Sequence, residues 1–134
     1  MKVSSTAPTA SSPMIPVSWG ELFDKITILE IKNRLITDHE ASLHIAEELG
    51  QLRAIAAPVQ NEVMPLIAEL KSTNEALWDI EDRIRKKEKQ RAFDSDFIEL
   101  ARSVYITNDK RAALKRQISV ALSSILVEEK WYGD

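Results

Sequence analysis

Val59 to Ile84 reads V-Q-N-E-V-M-P-L-I-A-E-L-K-S-T-N-E-A-L-W-D-I-E-D-R-I, and Val59, Val63, Leu66, Leu70, Thr73, Leu77, Ile80 and Ile84 within it are spaced alternately by four and three residues. That alternation is the signature of a helix with one inward seam, here carried through more than three heptads as in a coiled coil. Beyond Pro65 the chain has no further proline, and no glycine before Gly133, so a long helical stretch is permitted. Pro65 itself is expected either to start the regular part of this helix or to kink it.

Working outward, the seam stops after Ile84 and Phe93-Asp94-Ser95-Asp96 offers turn and cap residues, with Asp96 and Glu99 forming a D-x-x-E box. A helical hairpin follows, whose second arm should turn Phe97, Ala101 and Val104 inward, then Ile118, Leu122 and Ile125 in the same register. On the N-terminal side, Ser18-Trp19-Gly20-Glu21 has the S-x-x-E form in which hydroxyl and carboxylate satisfy amides of a first helical turn. The helix it opens places Leu22, Ile26, Leu29 and Ile36 on one face, with Ile28, Ile31 and Leu35 roughly opposite. Such a helix is expected to lie between neighbours. Thr37-Asp38-His39-Glu40 repeats the capping pattern and predicts a second helix carrying Ile45, Leu49 and Leu52 inward, weakened at Gly50 and ending near Ala56 to Pro58. No segment alternates with period two and no internal repeat is present. The expectation is an all-α protein, a bundle or long helical hairpin of about four helices: a single helical domain over residues 17–132 behind a disordered tail over residues 1–16. The tail assignment follows from its Ser/Thr/Ala/Pro composition, which has too little apolar surface to offset the entropy of ordering.

The chain's 134 residues are enough for one core without disulfides or metals. It contains no cysteine, which excludes thiol catalysis and thiolate metal sites and fits a reducing, cytoplasmic compartment. No run reaches the roughly 18 apolar residues of a membrane span, and the N-terminus lacks the basic start and apolar stretch of a secretory signal. The net charge of −3 hides an asymmetry. Through Asp82 there are six basic and thirteen acidic residues, and from Arg83 onward twelve and eight, giving −7 and +4. Folding should set one half against the other and disfavour indiscriminate polyanion binding.

Extending the last helix's seam beyond Val104 puts Asn108, Arg111 and Lys115 where apolar residues belong. A cation in a seam must either meet a carboxylate or face a wet cavity. One expectation is an anion pocket inside the bundle, formed by Lys25, Arg102, Asn108, Arg111 and Lys115, with Asp24, Glu30 and Glu81 as acidic partners that orient the cations or move protons. The alternative is an ion-pair and amide network fixing helix register, or a helix break at Thr107-Asn108-Asp109 that turns the cations to solvent. Asn74, Trp78, Glu81, Arg85 and Glu88 form a second polar row beside the central seam.

Arg83 to Arg91 holds six basic residues in nine, a possible phosphate grip. It closes a helix, where the macrodipole favours cations, and lacks interleaved aromatics, so a solvated helix end is preferred over nucleic-acid binding. His39 and His44 lie on different sides of a helix and make no metal pair. There is no phosphate-binding glycine loop, H-E-x-x-H or G-x-S-x-G, so no cofactor and no catalytic residue is assigned.

G-E-L-F-D-K-I-T-I-L-E-I-K from Gly20, L-W-D-I-E-D-R-I-R from Leu77, F-I-E-L-A-R-S-V-Y-I-T-N-D-K-R-A-A-L-K-R from Phe97 and E-E-K-W-Y from Glu128 together resemble one family of short bacterial proteins classed only as a domain of unknown function. The resemblance spans nearly everything from Pro16 to Tyr132. It implies a small helical protein without an established activity, associated with tetratricopeptide-repeat and glycosyltransferase proteins of cell-surface glycan assembly. No catalytic residue carries over. The functional expectation is therefore an interaction or accessory module with a protein partner or self-association. Its rival is an enzyme or binding protein for an anionic metabolite, bearing phosphate or carboxylate, held in the polar pocket.

Overall fold

The computed structural model describes residues 12–123, and four α-helices account for most of them: α1 (Trp19–Leu35), α2 (His39–Ala56), α3 (Met64–Lys89) and α4 (Ser95–Ala121). A short 3₁₀ turn (Gln60–Val63) leads into α3, and the described residues contain no strand. No helix among them is long and apolar enough to cross a membrane. Residues 1–11, Ile125, the Glu128 to Tyr132 phrase and Gly133 lie outside the described residues.

Each boundary has a local cause. Ser18 is extended and its Oγ accepts the Glu21 amide at 3.1 Å, so α1 starts at the expected cap. The second helix starts one residue later than its S/T-x-x-E pattern suggests. Asp38, not Thr37, caps α2 by accepting the Ala41 amide at 2.9 Å, a carboxylate being a better acceptor for a positive helix end than a hydroxyl. Pro65 occupies the first turn of α3, where its missing N–H leaves no bond unmade. Val59 and Val63 therefore precede the regular helix, although Val63 is still buried. At the far end Arg91 takes a left-handed conformation (φ 54°) and the Ala92 amide returns to the Lys87 carbonyl at 2.9 Å, closing α3 with a geometry more often given to glycine. Asp94 then caps α4, accepting from the Phe97 amide at 3.0 Å and from Lys87 Nζ at 2.9 Å. The Asp96–Glu99 box does not form, because the earlier carboxylate takes the cap and leaves Asp96 inside the first turn.

α1 is the central element. It packs against α2, α3 and α4, which is why it is apolar on more than one side. Leu22, Ile26 and Leu29 from one stripe and Ile31 from the other are buried, together with Phe23, while Ile28 is half-buried and Leu35 exposed. Leu49 of α2, Leu70 of α3 and Leu114 and Ile118 of α4 complete the core. On α4 the inward residue of the first half is Leu100, whereas Ala101 is exposed. A 3.6-residue period carries the seam one position back from the strict heptad count over this length.

α1 is 17 residues long, against 26 and 27 for α3 and α4, about 25 Å against 40 Å. Among the described residues no third helix lies over the outer half of the α3–α4 hairpin, and Ile80, Ile84, Phe97 and Val104 there are only half-buried. At the opposite end α1 approaches α4 closely. The Gly20 amide donates to Ser119 Oγ at 2.9 Å, and a Cβ at Gly20 would overlap the Lys115 carbonyl.

Candidate functional site

α4 runs unbroken through Thr107–Asp109, so its seam residues stay on the inner face. Arg111 reaches α1 and meets Asp24 side-on, with Nε to Oδ1 at 2.9 Å and Nη2 to Oδ2 at 2.6 Å. The Asp24 side chain is 3% exposed and that of Arg111 27%. Two parallel charge-assisted bonds of this kind hold a carboxylate in a defined plane. The Asp24 bond raises the Arg111 guanidinium's pKa further, against the opposing effect of its partial burial. Arg111 Nη1 also points at Asn108 Oδ1, at 3.4 Å.

Asn74 of α3 closes the cluster from the other side. Its Nδ2 donates to Asp24 Oδ1 at 3.0 Å and to Thr27 Oγ1 at 2.9 Å, while the Thr27 hydroxyl donates to the Asp24 carbonyl at 2.8 Å. Because Thr27 spends its proton on its own helix, it can only accept from Asn74, which fixes the orientation of the amide. Three helices are thus joined at mid-length by Asp24, Thr27, Asn74 and Arg111. One turn on, Lys115 Nζ meets Glu21 Oε2 at 3.0 Å.

The other expected members lie elsewhere. Lys25 pairs with Glu48 of α2 at 2.9 Å, and Arg102 with Glu99 of its own helix at 3.3 Å. Glu30 bridges Arg53 of α2 and Lys71 of α3. Each pairs with residues outside the Asp24–Asn74–Arg111 cluster, so Lys25, Arg102 and Glu30 do not join it. Glu81 makes no hydrogen bond or ion pair with the cluster. It lines a cleft of about 430 Å³ between α1, α3 and α4, which also exposes Asn74, Trp78, Arg85 and Arg111. The polar row of α3 therefore forms one wall of this cleft, and Ile28 and Ile31 of α1 form another. Thr27 and Ser119, both buried and both bonding across or along the helices, were not anticipated. A threonine three residues after a seam aspartate is the signal that marks the first; no pattern marks the second.

In the Arg83 to Arg91 run, Arg83 pairs with Asp79, Lys86 with Asp82 and Lys87 with Asp94, so half of its cations already face carboxylates. His39 and His44 are exposed on α2, and no group of three or more potential ligands among the described residues is placed to hold a metal.

An all-α protein whose helices are joined by a buried Asp–Asn–Arg cluster, with an open cleft beside it, is what the geometry defines. The chain belongs to a family of unknown function, DUF6165, which matches residues 14–134. No curated protein and no solved structure matches it.

Proposed function

We propose that this protein is a helical interaction module that pairs with a second copy of itself along the outer face of α4. The observation that carries the proposal is the face turned away from α1 and α3. Ile98, Ala101, Tyr105 and Ile106 are exposed there, the three large ones each by more than half. Scattered single apolar residues would need no explanation, but a stripe along one helix invites a partner. The charges around it support an antiparallel copy. Centred between Tyr105 and Ile106, two α4 helices bring Arg102 beside the partner copy's Asp109 and Glu99 beside its Lys110, each pair repeated by the two-fold axis.

An accessory role in cell-surface glycan assembly is supported by the family resemblance alone, and the dimer does not depend on it. A cytoplasmic setting suits a chain that uses no cysteine. Light scattering over a dilution series tests the assembly. The expected mass is twice the 15.2 kDa of the chain, falling to one chain for Ile98→Glu. Glu99→Lys should weaken the dimer and Glu99→Lys/Lys110→Glu restore it. A one-chain mass at all concentrations, or a dimer indifferent to Ile98→Glu, overturns the proposal.

A further inference from the structure

The cleft between α1, α3 and α4 carries a second assignment, independent of the α4 face. Asn74 is 4% exposed, and both protons of its amide nitrogen are spent on Asp24 and Thr27. Its carbonyl oxygen receives no hydrogen bond from any described residue, although Asn74 lines the cleft. A buried acceptor without a donor is costly, so the cleft calls for a donor at this point. Arg111 offers the complementary need. Of its five N–H groups, two go to Asp24 and one to Asn108, which leaves one on each terminal nitrogen beside the cleft.

The remaining charges decide the class of ligand. Glu81 and Arg85, one turn apart on α3, both line the cleft, and neither is in an ion pair among the described residues. Asp82 is already paired with Lys86 and Arg111 with Asp24, so Glu81 and Arg85 are the opposite charges left facing the cleft and they cancel. A dianion such as a phosphate monoester meets no net positive field here. A zwitterion meets both signs: an ammonium for the Asn74 carbonyl and Glu81, a carboxylate for Arg85 and the outer edge of Arg111. Ile28, Leu77 and Trp78 supply an apolar wall, and about 430 Å³ is the size of a small-molecule site. The geometry points to a binding site for a free α-amino acid with a large apolar side chain.

Calorimetric titration of the full chain with L-phenylalanine tests this. Saturable binding in the micromolar to millimolar range is expected, weakened at least tenfold for L-phenylalaninamide, which lacks the carboxylate, and for N-acetyl-L-phenylalanine, which lacks the ammonium. Glycine should give no measurable binding. Glu81→Gln and Arg85→Gln alter exposed side chains, so their helix content should match the parent; each should weaken L-phenylalanine at least tenfold. The assignment is overturned if L-phenylalanine gives no saturable heat at millimolar concentration, if either blocked analogue binds as well as the free amino acid, or if inorganic phosphate binds more tightly. Dimer mass is read separately, so failure here leaves the α4 proposal standing, and the reverse.

Discussion

Replacing Arg111 by Met removes both bonds to the Asp24 carboxylate and leaves it with Asn74 Nδ2 as its donor, in a position where the side chain is 3% exposed. Removing one partner of a buried pair costs about 3–5 kcal/mol, because the other charge stays dehydrated. Arg111 is itself 27% exposed, so water can reach part of the space it vacates and the lower figure, about 3 kcal/mol, applies. At 1.4 kcal/mol per decade that raises the unfolding equilibrium constant roughly 100-fold. Against a typical total of about 5–15 kcal/mol, the variant still folds but with a much lower urea midpoint. The discriminating measurement is a cycle with Asp24→Leu, followed by far-UV circular dichroism in urea. In the Leu background there is no carboxylate to neutralise, so adding Arg111→Met should cost less than about 1 kcal/mol. If it costs the same in both backgrounds, within about 0.5 kcal/mol, the pair is not coupled and the account of the cluster fails.

Two further outcomes follow from the helix contacts. Gly20→Ala must push Lys115 and Ser119 away from α1, a loss of about 1–3 kcal/mol that outweighs the helix-propensity gain. Gly50→Ala, where a Cβ meets nothing within 4 Å, should instead gain about 0.5–1 kcal/mol, and thermal melts of equal sign would refute the close-approach argument. Asp94 is held below the usual carboxylate value of 3.8 by its bond from Lys87 and then by the Phe97 amide. Its native pKa is the lower one, so the stability it adds is complete above 3.8 and is lost as pH falls through the lowered value. Asp94→Asn keeps a capping side chain without the titration, and acid melts should therefore show a shallower loss for the variant; parallel curves would count against it.

Helix periodicity and cap chemistry make the architecture readable in the sequence: Ser18, Pro65 and the α3 seam each sit where local physics requires. What misled was competition between equivalent caps. Thr37 and Asp38, or Asp94 and Asp96, are adjacent acceptors, and the winner depends on neighbours such as Lys87 that only the folded hairpin supplies. The Arg111 anomaly was visible as a break in the apolar pattern, and so was Asp24 as a polar residue in a stripe. Their pairing, to the exclusion of Lys25, Arg102 and Glu30, depends on the angle at which α1 crosses α3 and α4. The close approach of α1 to α4 at Gly20 is part of that geometry, and the absence of a side chain there leaves no periodic trace.

The Gly20–Ser119 bond joins residues 99 positions apart. Closing a loop of that length costs about 4 kcal/mol of chain entropy, more than any contact inside the α3–α4 hairpin demands. The hairpin arms, linked by a short turn, meet locally and cheaply, whereas α1 docks across nearly the whole described chain. Low-cost contacts form early and the expensive one late. The step that buries Asp24 against Arg111 is then also the step that completes the domain. A fluctuation that lifts α1 from both α3 and α4 releases the ion pair, the Asn74 amide and the cleft wall together, so cleft and core open as one cooperative unit.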